Sequence, residues 1–376
     1  MENIAFYCSS ISWGGLEMNF VRFANRLKNR KFNIIVYCIE GSPIADNLKT
    51  TQLDVVYVNR NKKYYDIVNA LKVKKQFKKD NIKAVWIRDT RDISLVGLVK
   101  TLTGNSIKII YQQAMQIGVK KKDFLHTLRF SKIDAWISLL QFLSNQVKEF
   151  TSFDSTKNHI IPLAVEINSE NRITKLEAQQ FFNLKSNKFI IGIIGRLSIQ
   201  KGQHFLIEQI AALKQQNIDV ELLIVGEDTQ GEGDSFKNLL NELILKHNLK
   251  ADVHFFPFMT NVELFYKAVD VFAMTSKGET FGNVTIEAMV YGTPIIGTNS
   301  SGTPEILDYG KLGNLYEVGN GTDFCNQIKW MINHPEDVKK RTLKAQQIAK
   351  HKYSVDVVCN QIENVLTVLN LNACKS

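Results

Sequence analysis

Short apolar, β-branched runs alternate with amphipathic stretches along the whole chain. Residues 3–9, 32–39, 54–58, 84–87, 107–113, 135–138 and 159–163 carry the compact runs that predict buried strands. Between them, residues 16–27 put apolar side chains at 16, 20, 23, 24 and 27, the spacing of one helical face, and residues 66–80 and 141–150 follow the same rhythm. The scheme then restarts. Strand-like runs at 189–195, 220–226, 252–256, 270–275, 293–298 and 313–318 are separated by helical segments at 202–216, 235–247, 260–268 and 283–291. Residues 335–371 read as helical, and the apolar series 355, 357, 358, 362, 365, 366 and 369 needs a packing partner.

Strand–helix alternation with buried strands predicts an α/β chain of parallel sheets covered on both faces. Two such series, joined by the polar stretch 165–175, predict two doubly wound, Rossmann-like domains, 1–165 and 166–352. The segment 353–376 is then a C-terminal helix expected to pack back across to the first domain.

Ligands of doubly wound sheets sit at the carboxyl ends of the strands, so the chemistry belongs in the loops after each strand. After the first strand, Gly14 and Gly15 let backbone N–H groups approach an anion at a helix start, although a tight turn alone explains them equally well. After the run 189–195, Arg196 and Lys201 suit a diphosphate, Arg with forked hydrogen bonds and Lys as a point charge. After the run 270–275 come Glu279, Thr280, a Phe281-Gly282-Asn283 turn, and Glu287 inside an apolar helix. A carboxylate in such surroundings needs a partner or a ligand, and its two oxygens match a vicinal diol such as a ribose. Glu305, in the Gly-Ser-Thr-rich loop 297–307, reads as a helix cap.

Composition is that of an ordinary globular protein: 376 residues, 44% hydrophobic and 22% charged. The N-terminus has an acid at Glu2 and lacks the basic-then-apolar pattern of a signal peptide, and no run approaches the roughly 20 apolar residues of a bilayer span. Five scattered cysteines without CxxC spacing favour free thiols in a reducing cytoplasm. The net charge of +10 is uneven: residues 1–165 hold 26 Lys+Arg against 13 Asp+Glu, and the remainder 21 against 24. A basic first half attracts an anionic acceptor or an anionic membrane surface. Nucleic acid ranks last, because no nucleic-acid-binding signature accompanies the charge.

Taken together, SWGGLE near the start, GRLSIQKG at 195–202, GETFGNVTIEAMVYGTPII at 278–296 and GTPEIL at 302–307 resemble glycosyltransferase family 4. That family comprises retaining enzymes of the GT-B fold, with two Rossmann-like domains facing across a cleft. The resemblance implies an acceptor-side first domain and a nucleotide-sugar donor domain. It implies that Arg196 and Lys201 hold the donor diphosphate and that Glu287 binds the ribose. Glu279 would face the sugar, cradled by the backbone of Thr280, Phe281, Gly282 and Asn283. Gly14 and Gly15 would close over the phosphates, and the nucleobase would lie near Gly226 and Phe258. Many members carry a histidine at the end of a first-domain strand; here Gln112 and Gln113 stand in that region, with His126 further on.

The expected activity is a cytoplasmic, hexosyl-type transfer from a nucleoside-diphosphate sugar to an acceptor hydroxyl in surface-glycan assembly, either free in the cytoplasm or at the inner face of the membrane. It requires no cofactor and no metal, the cations and helix N-termini answering the leaving charge. No carboxylate is an evident nucleophile, so same-face attack is favoured for retention. A nucleotide-sugar 2-epimerase and a noncatalytic sugar-nucleotide sensor remain as alternatives. A nicotinamide oxidoreductase is disfavoured, since no GxGxxG follows a strand.

Overall fold

The computed structural model describes residues 2–30, 32–62, 66–166, 173–185, 187–228 and 235–371. The chain divides into two units, Met1–Ala164 with Val355–Ser376, and Val165–Ser354.

The first unit holds β1 (Asn3–Cys8), β2 (Asn33–Cys38), β3 (Asp54–Tyr57), β4 (Ile82–Ile87), β5 (Lys108–Gln112), β6 (Ala135–Ser138) and β7 (Asn158–Ile160), in the order β3-β2-β1-β4-β5-β6-β7. The second holds β8 (Phe189–Ile194), β9 (Val220–Val225), β10 (Val253–Phe256), β11 (Val271–Met274), β12 (Ile295–Thr298) and β13 (Asn314–Tyr316), in the order β10-β9-β8-β11-β12-β13. Every neighbouring pair is parallel. The two sheets share one winding, and its direction reverses between β1 and β4 in one unit and between β8 and β11 in the other. That reversal opens a crevice at the strand carboxyl ends in each unit.

Burial on both faces explains the near-continuous apolar strands. In the first unit Phe6 stacks on Trp86 at 5.5 Å on one face, while Tyr7 and Tyr37 meet the edge of Phe77 on the other. In the second, Ile191, Ile193, Leu222 and Ile224 pack in one core with Leu206, Ile207 and Ile210 of the helix Gln203–Gln215. Each such side chain contributes about 1.5–3 kcal/mol on burial.

The helix Val355–Val368 belongs to the first unit, where Asp356 and Glu363 pair with Arg30 at 2.7 and 2.9 Å. The predicted helical stretch 335–371 is therefore two helices, Pro335–Lys352 and Val355–Val368. Between them Tyr353 is buried and its carbonyl accepts from the Val165 N–H at 3.0 Å. The helices Thr90–Leu102 and Gly321–Asn333 were not predicted, nor were the shorter Pro43–Leu48, Phe124–Phe130 and Lys175–Phe181. The first buries Asp92, Ile93, Leu95, Val96 and Val99 around most of its circumference, which erases the one-sided periodicity that betrays a surface helix.

Asp92 is fully buried at the start of that helix. Its carboxylate accepts from Ser9 Oγ at 2.5 Å, Ser9 N at 3.2 Å and Asn61 Nδ2 at 2.7 Å. Burial outweighs these bonds and pushes the carboxyl up to about 7. Its contribution to stability is thus present below the unfolded carboxyl value and is lost as pH rises towards 7. Between pH 4 and 7 the wild type should lose stability relative to Asp92→Asn, by at most about 1.4 kcal/mol per pH unit. Urea midpoints across that range check this; parallel profiles for the two proteins would contradict it.

Candidate functional site

In the second unit the winding reverses between β8 and β11, and the loops that follow these strands carry the predicted cations and acids. Gly202 ends the first loop at φ +82° and opens the helix Gln203–Gln215. A Cβ there would stand 2.8 Å from the Thr275 carbonyl oxygen, so only glycine admits this approach. Thr275 Oγ1 in turn donates to the Lys201 carbonyl at 2.6 Å, and Lys277 N to the Gln200 carbonyl at 3.3 Å. These bonds stitch the loop after β8 to the loop after β11.

The stitching brings Lys201 Nζ to 2.7 Å from Glu279 Oε2, a half-buried ion pair between residues 78 apart in sequence. Glu279 is held from its other side, its carbonyl accepting from Gly302 N at 3.0 Å. Arg196 is exposed, and its carbonyl accepts from the buried Gln203 side chain at 3.0 Å.

Gly282, at φ +73°, turns the chain into the helix Asn283–Tyr291. Helix geometry leaves the Asn283 and Val284 N–H groups without an intrahelical acceptor, while Thr285 N donates to the Gly282 carbonyl at 2.9 Å. Phe281 is buried and meets the edge of Tyr353 at 6.1 Å, so this residue offers a ligand its backbone only. Thr280 is half-buried beside it. Glu287 accepts from Tyr266 Oη at 3.0 Å, and the same hydroxyl lies 2.9 Å from the Val284 carbonyl. Burial, with Glu287 alongside, pushes the Tyr266 phenol well above its ordinary value, so it stays a donor.

Gly226 follows β9 at φ +150°, where a Cβ would lie 2.0 Å from the Gly195 carbonyl oxygen. The backbones of the β8 and β9 ends therefore touch. Phe258, after β10, is exposed, and its N–H donates to Glu227 Oε1 at 3.2 Å. Lys201 and Glu279 are thus joined directly, and Arg196 shares the loop of Lys201. Gly226 touches that loop's first residue, and Phe258 stands one strand further out.

Sequence reasoning missed Tyr266 and Thr275, whose roles appear only once distant segments meet. It also missed Ser276 and Thr285, whose buried hydroxyls, with Asn283 Oδ1, lack a hydrogen-bond partner on the same stretch.

In the first unit Gly14 is extended and caps the helix Gly15–Asn29 without a side-chain bond. Gln112 and Gln113 are buried braces. Gln112 Oε1 accepts from Trp86 Nε1 at 3.3 Å, and Gln113 Oε1 from Trp136 Nε1 at 3.2 Å and Ser138 Oγ at 3.1 Å. His126 Nδ1 lies 2.5 Å from Asp123, within its own helix turn.

With this geometry in hand, comparison with known proteins gives a consistent class. Residues 174–349 match the family described as glycosyl transferases group 1. The capsular polysaccharide biosynthesis glycosyltransferase CapM of Staphylococcus aureus is 26% identical over 199 residues, 51% of this chain and 49% of that protein. An uncharacterized glycosyltransferase of Haemophilus influenzae is 23% identical over 97% of this chain and all of its own length. Among solved structures, Anabaena Alr3699/HepE in complex with UDP and glucose shares the fold at a TM-score of 0.82, with 20% identity over 98% of this chain and 100% of that one. The matched segment is a little under half of this chain, and the pair of Rossmann-like units is the GT-B architecture.

Gly226→Ala forces a side chain into a conformation and a contact that only glycine tolerates. It should destabilise the protein by more than about 2 kcal/mol. A chemical-denaturation midpoint equal to wild type would show that the touching strand ends are not a constraint.

Proposed function

We propose that this chain is a retaining glycosyltransferase. It takes a sugar from a nucleoside diphosphate and passes it to an acceptor hydroxyl in glycan assembly. The observation that carries the reading is the Lys201–Glu279 pair at 2.7 Å, which joins the two loops flanking the β8/β11 reversal. The solved relative's complex with UDP and glucose and the polysaccharide role in the CapM name support the donor and acceptor classes.

Breaking the anomeric C–O bond leaves charge on the departing diphosphate. Arg196 answers it with a planar fork and Lys201 with an ammonium that Glu279 holds in position before the ligand arrives. The open N–H groups at the start of the helices Gln203–Gln215 and Asn283–Tyr291 add donors. Glu287, oriented by Tyr266, takes the ribose hydroxyls and fixes the nucleotide's far end. In same-face attack the acceptor oxygen bonds to the anomeric carbon as the phosphate oxygen leaves, and the acceptor proton passes to that oxygen. This chemistry uses no metal. Because Gln112 and Gln113 are occupied as internal braces, a donor-binding protein without transfer is the second reading.

The acceptor fits a membrane-borne glycan. Lys120 and Lys122 are exposed just before the helix Phe124–Phe130, whose Phe124, Leu125 and Leu128 also face solvent. Apolar side chains beside lysines suit an anionic leaflet.

Lys201→Ala should cut kcat/KM by about 10²–10³ while leaving the circular dichroism spectrum unchanged. Assayed against UDP and GDP sugars with acceptor, undiminished turnover would remove the assignment, and conversion of donor alone would indicate an epimerase. Phe124→Ser with Leu128→Ser should lower co-sedimentation with phosphatidylglycerol-containing vesicles. Equal pelleting of variant and wild type would refute the membrane surface.

A further inference from the structure

The first unit has its own reversal of winding, between β1 and β4, and a buried cation stands there. Arg88 immediately follows β4 and is 4% exposed. Its Nη1 donates to the Leu16 carbonyl, while Nε and Nη2 are buried with no hydrogen-bond partner. The β4–β5 register pairs Ile87 with Tyr111, so the next residues, Arg88 and Gln112, stand opposite each other on one face. Gln112 Nε2 is likewise buried without an acceptor. Three donors of one small region thus have nothing to donate to.

The neighbouring carboxylates are already engaged. Glu17 accepts from Ser10 Oγ at 3.2 Å, Asp89 forks Arg91 at 2.7–3.2 Å, and Asp92 is bound by Ser9 and Asn61. Burial pulls the Arg88 guanidinium down to about 10, so it still carries its charge at neutral pH. A buried guanidinium with two nitrogens unpartnered is costly, and the same fork that makes it costly fits two oxygens of a phosphate or carboxylate. The helix Gly15–Asn29 starts in the loop after β1 with no side-chain cap, so its first-turn N–H groups face the same crevice.

We propose that Arg88, with Gln112 beside it, anchors a phosphate-class oxyanion site at the β1/β4 reversal of the first unit. The proposal rests on the glycosyltransferase reading for its occupant, an anionic group carried by the acceptor.

The test is thermal unfolding of the full chain with inorganic phosphate. An Arg196→Ala/Lys201→Ala background removes the cations of the other loop. In that background phosphate at about ten times its Kd should raise the unfolding temperature by about 3 °C. Adding Arg88→Met should abolish the rise, and a rise that survives would overturn the site. Should Arg88→Met fail to fold, wild-type crystals soaked in tungstate decide. An anion against Arg88 Nε or Nη2 supports the proposal, and its absence there overturns it. UDP titration of Arg88→Met checks that the occupant comes with the acceptor. Unchanged UDP binding supports the acceptor as source, and binding at least tenfold weaker overturns it. Neither arm needs sugar transfer, so loss of the glycosyltransferase reading would be seen separately, as absent turnover in the wild type.

Discussion

The loop after β8 reaches the loop after β11 only because residue 202 has no side chain. With the Thr275 carbonyl 2.8 Å from where a Cβ would stand, any larger residue would push the two loops apart. The placement of Lys201 depends on that approach. It allows the Thr275 hydroxyl to fix the Lys201 backbone, and it brings the ammonium onto Glu279. A half-buried ion pair of this kind adds little to stability. Its consequence is geometric, since a long flexible lysine is held in one orientation at the strand carboxyl ends.

The two units apply one topology to different electrostatic ends. In the second, the resting cation at the reversal of winding is matched by an acid 2.7 Å away, so a diphosphate entering there competes with Glu279 for Lys201. In the first, the cation at the same topological place is buried with two nitrogens unmatched. Electrostatic pre-organisation needs groups held rigidly before the substrate arrives. The second unit achieves this by loop stitching, the first by packing Arg88 under the Leu16 carbonyl.

Much of this was legible in the sequence. Buried parallel strands announce themselves as β-branched runs, and the helices at 141–150 and 283–291 have the predicted limits because their ends carry clear turn residues or apolar faces. The winding could be anticipated from strand–helix alternation. The helix Thr90–Leu102 could not, because burial on most sides removes the period. Arg196, Lys201, Glu279 and Glu287 stand out by residue type in strand-end loops. Tyr266 and Thr275 do not, since their significance is a distance to segments 21 and 74 residues away. Arg88 was hidden for a further reason: arginine in a sequence reads as surface, and only the fold shows it covered.

The central claim is that Arg196, Lys201 and Glu287 serve one nucleoside diphosphate. A crystal structure of the full chain with UDP tests it most directly. The account predicts the pyrophosphate within hydrogen-bonding distance of Arg196 and Lys201 and the ribose hydroxyls on Glu287. A nucleotide seated elsewhere, with those three side chains turned away from it, would contradict the account.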